Sequence, residues 1–172
     1  KNATEVIIKL EDIVNNGYSI INQQNENKEE VSTATIVYEN SRIKTKIGTI
    51  VAIQKKGINK TQLANQFNQT TNDLINSEKF TTVDFQKIGE DSILLKYDLT
   101  TEQNKKIQEI NNQLQNAGFP QTFEEIDQPK YLYLFYYRIH NALVIFFASG
   151  EEEKINEEFS KYAEIINQRI KN

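Results

Sequence analysis

Two runs close to the C-terminal end, residues 131–139 (YLYLFYYRI) and 142–149 (ALVIFFAS), restrict the fold more than any other part of the chain. Each is of strand length and almost continuously apolar or aromatic, the pattern of a strand covered on both faces. Only His140 and Asn141 separate them, so they predict two central strands joined by a tight turn. The rest of the chain must supply neighbours and cover.

Elsewhere helical and strand periods alternate. Residues 4–16 carry Val6, Ile7, Leu10, Ile13 and Val14 near helical spacing before Asn16 and Gly17, which predicts an N-terminal helix leading into the domain over 1–17. The polar run 22–30 has nothing to bury and reads as an exposed loop. Residues 31–38 and 43–54 are β-branched-rich, with Ile43, Thr45, Ile47, Thr49, Val51 and Ile53 on one face, and predict a hairpin turning at 39–42. A helix follows over 59–77, with Asn59 or Thr61 as cap and Leu63, Phe67, Leu74 and Ile75 as its apolar set. Strands are expected at 80–86 and 92–99. Residues 100–117 predict a helix with a Thr100/Gln103 capping box, an Ile107, Ile110, Leu114 stripe and a stop at Gly118 and Pro120. The last helix, 151–169, has Ile155, Phe159, Tyr162, Ile166 and Ile170 on one face and Glu151, Glu152 and Glu153 at its positive end.

Strand pairs that adjoin in sequence favour an α+β fold: a mostly antiparallel central sheet with helices packed on both faces, in one domain spanning 1–172. Composition agrees. Of 172 residues, 49 are Leu, Ile, Val or Phe, enough for a core, so global disorder is excluded. The net charge of −4 and the lack of a basic stripe exclude the electrostatic footprint of a nucleic-acid binder. With no Cys and one His, thiol nucleophiles, disulfides, Cys-based zinc and paired imidazoles are gone, and isolated glycines give no phosphate-cradling motif. No cofactor or metal site is expected. The chain starts at Lys1 and holds no Met, which predicts a trimmed signal or anchor upstream; no stretch reads as a membrane span.

The strongest functional lead is the aromatic strand. Tyr131, Tyr133, Phe135 and Tyr137 share a face, next to Arg138, and either form the core under a helix or line a ligand or partner surface. Carboxylates cluster at Glu90-Asp91, at Glu124, Glu125 and Asp127, and at 151–153; turn and cap roles account for them, with a carboxylate-based hydrolase using Glu124, Glu125 or Asp127 as the rival. His140 reads as a solvated turn residue. Asn2, Asn59 and Asn68 open Asn-x-Thr sequons, candidate N-glycosylation sites that a chain with 20 Asn also produces by chance.

Gly89-Glu90-Asp91-Ser92 before a strand, Arg138-Ile139-His140-Asn141 before an apolar strand and closing helix, and the opening run 12–18 (DIVNNGY) together resemble a group of secreted or lipid-anchored microbial domains. These share the fold of the photosystem II extrinsic subunit PsbP and the Ran-binding Mog protein. The group has the acids of the turn in the opposite order and Gly where His140 stands. The resemblance implies an α/β/α sandwich and no catalytic residues. It implies a non-enzymatic, extracytoplasmic, membrane-tethered module that binds a protein partner or small ligand, with a structural or sensory ectodomain as a further alternative.

Overall fold

The computed structural model describes residues 1–13, 17–57, 59–77, 79–119, 123–125, 130–151 and 155–172. In chain order the elements are α1 (Ala3–Val6), a single 3₁₀ turn (Leu10–Asp12), β1 (Ser19–Asn27), β2 (Val31–Asn40), β3 (Thr45–Gln54), α2 (Lys60–Asn76), β4 (Thr81–Val83), β5 (Asp91–Asp98), α3 (Leu99–Asn116), β6 (Tyr131–Ile139), β7 (Ala142–Gly150) and α4 (Phe159–Lys171). The strands form one seven-stranded sheet in the order β1-β2-β3-β7-β6-β5-β4, every pairing antiparallel. The class is α+β.

The aromatic hairpin is where its composition puts it. β7 is the middle strand and β6 its neighbour, joined through His140 (φ 49°) and Asn141, whose amide Nδ2 donates to Gln54 O at 2.6 Å. Along β6 the odd residues Tyr133, Phe135, Tyr137 and Ile139 join a cluster containing Phe146 of β7 and Phe159, Tyr162 and Ile166 of α4. The even residue Tyr136 joins Leu143 and α2's Leu63 and Phe67. Phe67 lies against Tyr136 with ring centroids 4.6 Å apart, and Phe159 against Phe146 at 5.8 Å. Burying each such side chain contributes roughly 1.5–3 kcal/mol. β2 and β3 alternate as read, with Thr45, Ile47, Thr49, Val51 and Ile53 buried. Gly48, directly opposite Phe147, has no side chain because the Phe147 ring covers it: a Cβ there would lie 1.8 Å from the ring.

Several boundaries differ from expectation for identifiable reasons. The N-terminal helix stops at Val6, where Ile7 turns out of helical backbone at ψ 153°, and the consecutive Val6, Ile7 and Ile8, whose side chains point different ways, are all buried in the core cluster. Val14 to Asn16, its expected end, lie outside the described residues. The polar run 22–30 is largely strand: β1 is ordered by backbone pairing to β2 while all nine of its side chains stay exposed. The β2–β3 turn falls at 41–44, with Lys44 at φ 51°, and Ile43 is exposed. Strand pairing on the far edge covers only Thr81–Val83 of the expected 80–86.

Helix caps are also reassigned in part. Asn59 caps α2, its Oδ1 accepting from Thr61 N and Gln62 N. α3 is capped by Asp98 and not by Thr100: Asp98 Oδ1 accepts from Thr100 N at 3.0 Å and Thr101 N at 3.1 Å, and those bonds, Thr101's first, hold its carboxyl below the ordinary range. Thr100 Oγ1 accepts from Lys130 N at 2.6 Å instead. α4 starts at Phe159, eight residues after Glu151, so the expected acidic start to that helix is not the helix end. Glu152 and Glu153 lie outside the described residues.

Candidate functional site

The expected aromatic surface is, for the most part, core. Tyr133, Phe135 and Tyr137 are 3%, 0% and 0% exposed, and Phe135 stacks with Tyr137, Phe146 and Phe159 at 5.4, 6.5 and 6.2 Å. Tyr131 is half-buried, with Lys96 Nζ 4.6 Å from its ring centroid. Desolvation pushes the Tyr137 phenol well up, and its hydroxyl has no hydrogen-bond partner among the described residues.

Arg138 is a fastener. Asp91 stands opposite it in the β5–β6 register, and its guanidinium ties together the Gly89–Ser92 turn. Nε donates to Asp91 Oδ2 at 2.9 Å, Nη2 lies 2.7 Å from the same oxygen, and Nη1 pairs with Glu90. Arg138 O accepts from Glu90 N at 2.8 Å, and Ser92 Oγ from Ile88 N at 3.1 Å. Gly89 takes φ 70° at the point of closest approach, where a Cβ would sit 2.3 Å from Arg138 O. The two short motifs behind the resemblance thus meet in one clamp.

That clamp builds one wall of a cleft of about 480 Å³, between residues 86–89 and α4. Phe85, edge-on to Phe135 at 4.9 Å, anchors the segment that leads into it. The opposite wall is the polar stripe of α4, Ser160, Glu164, Asn167 and Lys171 at helical spacing, with Lys161 and Gln168 beside it. The other stripe, Phe159, Tyr162, Ala163 and Ile166, is buried in the core and fixes that wall. Lys87, Lys161 and Lys171 outnumber the one carboxylate, Glu164, while Gln86, Asn167 and Gln168 add amides. Asn167 Oδ1 has no hydrogen-bond partner among the described residues. This set offers ammonium groups and amides, which can donate to an anionic or hydrogen-bonding group.

The remaining expected residues are scattered. Glu124 and Glu125 are exposed, Glu125 accepting from Gln108 Nε2 at 3.0 Å, and Asp127 lies outside the described residues. His140 is exposed in its turn. Of the sequon residues, Asn59 and Asn68 are exposed and Asn2 is half-buried. Among the described residues no three of His, Cys, Asp and Glu cluster as a metal site, and no helix is long and apolar enough to cross a membrane. Sequence reasoning missed the cleft. The only signal in the chain was the second, polar stripe of the last helix, which any solvated helix also shows.

No family model, curated protein or solved structure matches the chain.

Proposed function

We propose that this chain is a non-enzymatic, extracytoplasmic domain of the PsbP/Mog type, an α/β/α sandwich tethered to a membrane, which binds a small polar ligand carrying negative charge in the cleft beside α4. The observation that carries the reading is the cleft's lining: three lysines, Lys87, Lys161 and Lys171, against one lining carboxylate, Glu164, together with the amides of Gln86, Asn167 and Gln168, Lys161 Nζ also lying 3.5 Å from Glu158. Such a lining recognises charge and hydrogen-bonding pattern. Of the partly buried carboxylates, Asp91 and Glu90 pair with Arg138, Asp12 with Arg169, Glu158 with Lys161 and Glu151 with Lys44, so each faces a cation, which supports a binding role over acid–base chemistry.

Titration calorimetry against a panel of dicarboxylates, phosphorylated sugars and neutral sugars tests the reading. An anionic compound should bind, and Lys161→Glu with Lys171→Glu should weaken it by at least about tenfold, one order for every ~1.4 kcal/mol removed. Binding that is indifferent to both changes would overturn the site. Compartment is tested separately by the N-terminal mass of the protein from its own cells: a processed or lipidated terminus supports tethering, and an unprocessed one in the cytosol contradicts it.

A further inference from the structure

The two edges of the sheet are unlike. β4 closes one side with three residues, and shortness is a common protection against edge-to-edge pairing. β1 closes the other with nine residues, all exposed on both faces. It contains no Pro, Lys or Arg, and its single charge, Glu26, has Lys28 Nζ 2.9 Å away. The bulge between Ile20 and Asn22 twists only its first part, leaving 22–27 in regular register with β2.

The register also says which backbone groups are free. Lys28 N donates to Val31 O at 2.9 Å, so pairs at this alternation, Glu26/Thr33, Gln24/Thr35 and Asn22/Val37, aim their amides at β2. The N–H and C=O groups of Gln23, Asn25 and Asn27 therefore point outward. On the other side of β2, Lys55 N donates to Glu30 O at 2.8 Å, as the same alternation requires.

We propose that this edge is a self-association surface, on which β1 of a second copy pairs antiparallel and joins two seven-stranded sheets into one. The strand's own composition fits a second copy. Pairing centred on Gln24 sets Gln24 opposite its own counterpart, Gln23 opposite Asn25, Asn22 opposite Glu26 and Ile21 opposite Asn27. Amides both donate and accept, so they pair with themselves, and no like charges stand opposite one another. In that register the outward groups of Gln23 and Asn25 are the ones that exchange hydrogen bonds.

Sedimentation of the full chain over a range of concentrations tests the proposal: the mass should rise from 20.0 kDa to twice that value. Asn25→Pro removes an outward donor, spares the β2 ladder and should weaken the dimer about tenfold. Gln24→Lys sets two ammonium groups across the two-fold axis and should weaken it likewise; it decides the matter if the proline variant does not fold. Gln24→Cys, in a chain with no other thiol, should crosslink under mild oxidation, since non-hydrogen-bonded antiparallel neighbours sit about 4.5 Å apart at Cα. Lys105→Cys on α3 should not. A monomer at every concentration, or a dimer untouched by folded Asn25→Pro and Gln24→Lys variants, would overturn the proposal.

Discussion

Arg169, near the end of α4, holds Asp12 by two parallel hydrogen bonds, Nη1 to Oδ2 and Nη2 to Oδ1, both 2.8 Å, across 157 positions of sequence. Nη1 also donates to Ile7 O at 2.9 Å. The N-terminal segment, too irregular to be held by its own helix bonds, is thus fastened to the last helix. Arg169→Gln should cost about 2 kcal/mol in thermal or denaturant unfolding and speed amide exchange across residues 3–13. Unchanged stability would show that the fork adds nothing beyond apolar burial there.

Tyr38 lies beneath the same segment, its hydroxyl donating to Ile8 O at 3.0 Å. Burial, aided by the negative charge of Asp12, raises its pKa from 10.0 to about 12. A folded-state value above the unfolded one means that the native state holds the proton more tightly. The contribution is therefore complete below pH 10 and disappears as pH rises through 12, at about 1.4 kcal/mol per pH unit. Alkaline unfolding followed by tyrosinate absorbance should show a slope to which Tyr38 adds this share, beside the also raised Tyr137 and Tyr136, and Tyr38→Phe should reduce the slope by that amount.

Tyr137 offers the opposite case, a buried hydroxyl with no hydrogen-bond partner among the described residues. Removing it relieves a desolvation cost, so Tyr137→Phe should leave stability equal or raise it by about 1 kcal/mol, with ligand binding unaffected. A loss of more than about 1 kcal/mol would mean that the hydroxyl is bonded in solution.

The Gly89–Arg138 clamp should tolerate little change. Gly89→Ala combines a left-handed φ of 70° with a Cβ 2.3 Å from a carbonyl oxygen and should cost about 2 kcal/mol or more. Arg138→Lys keeps the charge but loses the fork to Asp91 and Glu90, at about 1–2 kcal/mol. Both should also weaken ligand binding in the cleft, whose wall they position. Full affinity in a folded Gly89→Ala protein would separate the clamp from the site.

What the sequence made legible were elements whose side chains are sorted by burial. β3 could be read from Thr45 to Ile53, and β6 and β7 from their unbroken apolar runs, because one period or one composition decides each. β1 was illegible since none of its side chains is buried and pairing through the backbone leaves no mark on residue choice. The N-terminal segment reads as one helix because Val6, Ile7, Leu10 and Ile13 fall near helical spacing, yet the fold buries the consecutive Val6, Ile7 and Ile8 and leaves Leu10 exposed. Alternation places Tyr133, Phe135 and Tyr137 on one face, as the structure has them, but alternation alone does not say whether that face meets a helix or a ligand. The cleft joins residues 86–89 to Lys161 and Lys171, ordinary solvent-facing residues that become neighbours only through the Arg138 clamp and the Phe159–Phe146 packing.

The most direct measurement is native mass spectrometry of the protein gently purified from its own source, beside its Lys161→Glu variant. The account predicts a processed or lipidated N-terminus and a non-covalent anionic mass that the variant loses. An unmodified protein that carries no added mass and binds no anion when offered one, or a bound mass that survives Lys161→Glu, would contradict it.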